Sequence, residues 1–168
     1  MSNVMYHAYL PQNHEYHVSM EEVMNDGIKH STVSNNRYSI GGKVKFDITE
    51  TLRPSHTPNW LDFKEAIGVD MRNRFSTSFC FPVFTDKIRV FNGDISLAIY
   101  DQAFYEDLKD FDEEALNFDT GENIEHWIKL YWGSMVTLEE YLREHPYPNP
   151  EVLIFTSVPK GIIQVCEE

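Results

Sequence analysis

Three stretches of the chain carry polar side chains whose types and order invite chemistry. Glu151 opens the apolar, β-prone run Glu151-Val152-Leu153-Ile154-Phe155, directly after the breaker series Pro146-Tyr147-Pro148-Asn149-Pro150. Pro150 fixes φ and supplies no amide donor, so a strand is expected to begin at Glu151, at the rim of a sheet where a cleft can reach it. A carboxylate so placed can accept a hydrogen bond from a bound hydroxyl or oppose a developing positive charge. Taken alone, it reads as a gatekeeper charge capping a hydrophobic strand. Phe75-Ser76-Thr77-Ser78-Phe79-Cys80-Phe81 is a second β-prone run, ended by Pro82, with Ser76 and Ser78 on one face and Thr77 on the other. Glu15-Tyr16-His17-Val18 is a third, short run. Singly, a Ser-Thr-Ser strand is an edge or half-exposed face, and a histidine after a tyrosine is more often bonded to backbone than to a ligand.

The elements that must hold these residues follow from periodicity and caps. Ser19-Met20-Glu21-Glu22 has the capping-box pattern, Val23, Met24 and Ile28 give the apolar side of a short helix, and Gly27 ends it. Ser31 to Gly42 reads as a loop, and Lys43 to Thr49 alternates as a strand with Val44, Phe46 and Ile48 on one face. Thr57-Pro58 looks like a helix start, with Trp60, Leu61, Lys64, Ile67 and Met71 extending the helix to about Arg74. Asp86 to Phe91 reads as a short helix stopped by Asn92-Gly93, and Ile95 to Tyr100 as a buried strand. Phe104, Leu108 and Phe111 fall on one helical face. Glu122 to Trp132 is a stronger helix, broken by Gly133-Ser134. Thr137-Leu138-Glu139-Glu140 repeats the capping box, and two closing strands follow, one at Glu151 and one over Gly161 to Val165. The sum is a single α+β domain over residues 1–168, with helices interleaved among six or seven short strands.

Composition narrows the partners. At 168 residues and 42% hydrophobic, the chain suits one core, and 14% aromatic content argues against disorder. A formal charge of −13 repels phosphate backbones and favours basic partners. Cys80 and Cys166 are too few for a disulfide scaffold and lack metal-ligand spacing, so a reducing cytoplasm is the default. The start of the chain has no basic, apolar leader, and no stretch reaches membrane-spanning length, so a soluble, unsecreted protein is expected. His14-Glu15-Tyr16-His17 is not the two-histidine helical metal pattern, and Gly41-Gly42 lacks the lysine of a phosphate loop. Nothing marks a nucleophile elbow.

In order, the Tyr16-His17 stretch, the Ser76-Thr77-Ser78 strand and the late Glu151-Val152-Leu153 strand resemble mono-ADP-ribosyltransferases, which use NAD. Tyr16 to Ser19, followed by a helix and Asp26-Gly27-Ile28, is similar to the opening of the histidine-bearing branches of that superfamily. Glu125 to Trp132, with Tyr131-Trp132 ahead of the Glu151 strand, resembles a feature of uncharacterised bacterial and phage members. The resemblance implies split antiparallel sheets with interleaved short helices, NAD as substrate, and a macromolecular acceptor, more readily protein than nucleic acid. It implies that Glu151 is the catalytic carboxylate, holding the ribose 2′-hydroxyl while the nicotinamide bond breaks. His17 and Tyr16 would grip the cofactor, and Ser76, Thr77 and Ser78 would shape the nicotinamide pocket. Arg74, with Arg72, would meet the pyrophosphate. Asn149 occupies the acceptor-side position two before the glutamate, where many members carry Glu or Gln; an asparagine can bond an acceptor but cannot act as its base. The chain also departs from the family in having no arginine before Arg37, and in combining a first-strand histidine with Ser-Thr-Ser. A different class of function is an acidic, non-enzymatic binding protein that blocks a basic surface, such as a nucleic-acid mimic from a mobile element or phage.

Overall fold

The structure is a computed structural model, described here for residues 3–10, 12–14, 17–29 and 49–167. Tyr16, the loop expected over Ser31 to Gly42 and all but the last residue of the strand expected over Lys43 to Thr49 lie outside the described residues. The described chain is α+β, with six strands: β1 Val4–Ala8, β2 Ile67–Val69, β3 Thr77–Pro82, β4 Ile88–Asn92, β5 Pro150–Ile154 and β6 Gln164–Glu167. Its four α-helices are α1 Met20–Asp26, α2 Gly93–Leu108, α3 Ile124–Gly133 and α4 Leu138–Glu144. Two three-stranded sheets form, in the orders β1-β3-β6 and β2-β5-β4. No helix among the described residues is long and apolar enough to cross a membrane.

Two compact units share the chain, and the division falls inside β4 and β5. The first comprises Met1–Asn35, Asn59–Arg89 and Val152–Glu168. Here β3 pairs antiparallel with β1 and with β6, and β2 pairs antiparallel with the later half of β5. Helix α1 starts as expected: the Ser19 hydroxyl accepts the Glu22 amide at 3.1 Å. It ends on Gly27 at φ 82°, where an added Cβ would meet the Val158 carbonyl at 2.4 Å. Its apolar side is narrower than the spacing implies, since Val23 and Ile28 are buried while Met24 faces solvent. Met5, Leu61, Phe63, Ile67, Phe79 and Phe81 fill the interior. Ser78 pairs with Cys166 and Cys80 with Gln164, so Cys80 and Cys166 are diagonal neighbours on one face, and they form a disulfide. Their sequence separation of 86 hid that adjacency.

The second unit comprises Asn36–Pro58 and Val90–Glu151. Each of its α-helices starts at a side-chain cap. Asn92 accepts the Asp94 amide at 3.0 Å, Asn123 the His126 amide at 2.8 Å, and Thr137 with Glu140 forms a complete capping box. Phe91 stacks on Tyr131 with centroids 4.4 Å apart, and the Trp132 indole donates to the Thr49 carbonyl at 2.8 Å.

Several sequence expectations are corrected. The helix expected from Pro58 to Arg74 is a short 3-10 turn, Phe63–Glu65, followed by β2. Ladder pairing of Ile67, Gly68 and Val69 with Ile154, Leu153 and Val152 overrides the weak helical period there. Asp86 to Phe91 is largely β4, and Asn92-Gly93 starts a helix instead of stopping one. Ile95 to Tyr100 lies inside α2, whose buried positions Ser96, Ile99, Gln102 and Ala103 recur at helical spacing but alternate polar with apolar. Phe111 lies beyond the end of that helix and is exposed, and Gly161 sits in a 3-10 turn ahead of β6.

Candidate functional site

Glu151 is held where the second unit fastens its strand start to the first turn of α2. The strand begins one residue earlier than expected, at Pro150. The approach to it is fixed step by step. α4 ends at His145, which takes a left-handed conformation at φ 44° and directs the chain into Pro146. Tyr147 then donates its hydroxyl to the Ser134 carbonyl, and Tyr141 donates to the Tyr147 carbonyl at 3.2 Å. Burial pushes the Tyr147 hydroxyl above the usual tyrosine range, opposed by the Ser134 side chain and reinforced by the negative charge of Glu140. Asn149 closes the approach: its carbonyl accepts the Gly93 amide at 2.7 Å, and its side-chain amide donates to Asp94 at 3.1 Å.

Two hydroxyls then fix the carboxylate. Ser96, one turn into α2, donates to Glu151 Oε2 at 2.6 Å, and Tyr131 of α3 donates to Oε1. Both donors are buried, Tyr131 fully. Tyr131 cannot swing, because its ring lies flat on Phe91 at an interplanar angle of 4°. Its backbone is tied as well: Ser134 donates its hydroxyl to the Tyr131 carbonyl at 2.6 Å and accepts the Asn92 amide at 2.9 Å. One carboxylate therefore joins the first turn of α2, the last turn of α3 and the start of β5. Each carboxylate oxygen thus accepts one of these two hydroxyls. A negatively charged group held this rigidly suits electrostatic stabilisation of a neighbouring cation, since no reorganisation is needed as charge develops.

Of these partners, Tyr131 is marked in the sequence only as part of an apolar stripe and of the family-like stretch Glu125 to Trp132, and Ser96 lies in a stretch expected to be a strand. The signal for Ser96 was the cap: once Asn92 starts a helix, Ser96 stands on the same first turn as the Asp94 that Asn149 reaches.

The expected cofactor-binding residues lie in the first unit. His17 is not on a strand; its amide bonds to the His14 carbonyl at 3.1 Å, so the chain turns there. Its Nδ1 donates to the Leu10 carbonyl at 2.8 Å, which fixes the tautomer and leaves Nε2 to face other groups. The imidazole meets Tyr9 edge-on at 5.6 Å, and Tyr9 meets Phe79 at 5.8 Å, while the Tyr9 amide bonds the Thr77 carbonyl at 3.3 Å. His17 and the Ser-Thr-Ser strand are thus linked through Tyr9. Ser76 precedes β3 and is exposed, and Thr77 is half-buried. Ser78 is 0% exposed and its hydroxyl has no hydrogen-bond partner among the described residues. Arg74 is a surface residue paired with Asp70 at 3.2 Å, and Arg72 donates its amide to the same Asp70 at 2.8 Å. Among the described residues no group of three or more His, Cys, Asp or Glu could hold a metal ion.

Comparison with known protein families, with curated proteins and with solved structures finds no match to this chain.

Proposed function

We propose that the protein is an ADP-ribosyltransferase-like enzyme that cleaves the nicotinamide–ribose bond of NAD and passes ADP-ribose to a macromolecular acceptor or to water. The observation that carries this reading is the Glu151 carboxylate at the start of β5, held in place by the Ser96 and Tyr131 hydroxyls. In the reaction the electron pair of the glycosidic bond leaves with the nicotinamide nitrogen, C1′ takes on oxocarbenium character, and the incoming nucleophile loses a proton on bonding to C1′. Glu151 would accept from the ribose 2′-hydroxyl and oppose the positive charge.

The resemblance assigns the further cofactor contacts to His17, Ser76, Thr77, Ser78 and Arg74, and the acceptor contact to Asn149. His17 would use Nε2, since Nδ1 is bonded to Leu10. Ser76, Thr77 and Ser78 would line the nicotinamide side, and Arg74 would have to exchange Asp70 for a pyrophosphate. Asn149 would bond the acceptor only after giving up Asp94. Two antiparallel sheets with short interleaved helices are also what the resemblance implies.

The test uses NAD labelled separately in the nicotinamide and the adenylate, with and without a cell lysate. Wild-type protein is expected to release nicotinamide and to transfer adenylate label to macromolecules in the lysate. Glu151→Gln, checked for a native near-ultraviolet spectrum, is expected to lose both. Undiminished cleavage by folded Glu151→Gln, or no cleavage by the wild type, removes the catalytic assignment.

A further inference from the structure

Helix α2 has a second organised face, opposite its buried one. Leu97, Asp101, Phe104 and Leu108 follow one another at steps of four, three and four, which traces one line along a helix. Leu97 is 59% exposed and Phe104 40% exposed. Phe118, at the end of the 3-10 turn Glu113–Phe118, sets its ring edge-on to Phe104 at 4.8 Å and is itself 40% exposed. The turn is held there by Gln102, whose carbonyl accepts both the Thr120 amide at 2.9 Å and the Thr120 hydroxyl at 2.7 Å. Single exposed apolar side chains are ordinary on a protein surface, but several set on one line of one helix, with Phe118 against them, mark an interaction site.

Charge specifies what the row would take. Asp101 sits within it, between Leu97 and Phe104, and burial alone pushes its carboxyl above the usual carboxylate range. No salt bridge reaches Asp101 among the described residues. Residues 101–125 carry ten carboxylates against Lys109 and no other lysine or arginine. Such an excess of negative charge along this segment repels a phosphate backbone and an anionic lipid surface. It also opposes a second copy of the chain, because a two-fold contact would set like charges against one another. What remains favourable is an apolar ridge of matching length with cations beside it.

We propose that the outward face of α2, with Phe118, is a docking surface for a basic amphipathic helix of a partner protein. Apolar side chains of that helix cover Leu97, Phe104 and Phe118, a lysine or arginine pairs with Asp101, and flanking cations meet the acidic segment. Helix against helix fits the geometry, because an apolar stripe with i, i+3, i+4 spacing packs best on another of the same pitch. The surface gives the basic-partner expectation drawn from net charge a defined place, and it stands independently of the catalysis assigned to Glu151.

The probe is a synthetic amphipathic helix of about 18 residues, leucine on one face and lysine on the other. It is titrated against the full chain beside a scrambled isomer of the same composition and a version with glutamate for lysine. The amphipathic basic peptide is expected to bind at least about tenfold more tightly than its scrambled isomer. The acidic version is expected not to bind. Phe104→Ala and Asp101→Asn are each expected to weaken binding by about tenfold. Both positions are exposed or half-exposed, so the variants should fold, and circular dichroism checks that they do. Equal binding of the scrambled isomer would reduce the effect to unspecific charge attraction and overturn the proposal. Unchanged affinity in Phe104→Ala, or a concentration-dependent dimer that Phe104→Ala abolishes, would overturn it as well.

Discussion

Gly93 donates its amide to the Asn149 carbonyl at 2.7 Å, and a Cβ built on Gly93 would stand 2.3 Å from that same oxygen. The glycine is needed for space, since this backbone contact is what sets the start of α2 against the approach to Glu151. Gly93→Ala is therefore expected to destabilise the protein by about 1–3 kcal/mol as the two backbones are forced apart. Urea denaturation measures the loss. An alanine variant as stable as wild type would mean that Asn149 and α2 are not in contact in solution.

Tyr131→Phe tests the Glu151 site with little change in packing, because the ring can stay on Phe91 while the hydroxyl is lost. Removing one donor from a buried carboxylate contact is expected to cost about 1–3 kcal/mol of stability. On the proposed reading, NAD cleavage is expected to fall by about a hundredfold with little change in KM, since the hydroxyl would orient the carboxylate without touching substrate. Ser96→Ala is expected to act in the same direction through Oε2. A structural role alone would lower stability in both variants and leave kcat unchanged.

Helix starts were legible where a cap is a local bond. Ser19 and Thr137 announce α1 and α4 because hydroxyl and amide lie three residues apart, whatever the rest of the fold does. Asn92-Gly93 was not legible, because the same dipeptide serves a turn or a cap, and the choice depends on Asn149, over fifty residues away. α2 was misread as a strand because its buried face carries Ser96 and Gln102 among apolar residues, so hydrophobic periodicity could not outline it. Both polar side chains are there for partners: Ser96 reaches Glu151, and Gln102 reaches Thr120. The position of Glu151 at a strand start followed from Pro150, a covalent constraint, whereas its two hydroxyl donors come from helices whose packing no local pattern encodes.

Reduction of the Cys80–Cys166 bond is expected to lower stability by about 2–4 kcal/mol, because the bond closes a long loop in the unfolded chain. Denaturation curves with and without a dithiol reductant measure this. Cys166→Ser is expected to match the reduced protein and to show no further response to reductant. A reductant effect that persists in Cys166→Ser would rule out this bond as its source.

Two groups give opposite tests of pH. Asp101 holds its proton more tightly in the folded chain than the ordinary value of 3.8 allows, because burial penalises the charged form. Its contribution is fully favourable below that value and is lost as pH rises through the folded pKa, so at neutral pH the charge opposes folding. Asp101→Asn is expected to be more stable than wild type at pH about 7 and to lose that advantage in acid. Tyr147, raised from 10.0 chiefly by burial, contributes stability that is present below 10.0 and lost on going more alkaline. Tyr147→Phe is expected to flatten the alkaline loss. Denaturation midpoints across both ranges decide each case.

The order in which the ribosome delivers these pieces follows from the disulfide and from the three-part composition of the first unit. β3 is complete when Pro82 emerges, but its partner β6 arrives only after every residue of the second unit has been made. At about 5–20 residues per second, the sequence separation of 86 between the two cysteines corresponds to about 4–17 s of synthesis. For that interval β3 is an open sheet edge and Cys80 a thiol without its mate, so a nascent chain is most exposed to mispairing while its later half is still being made.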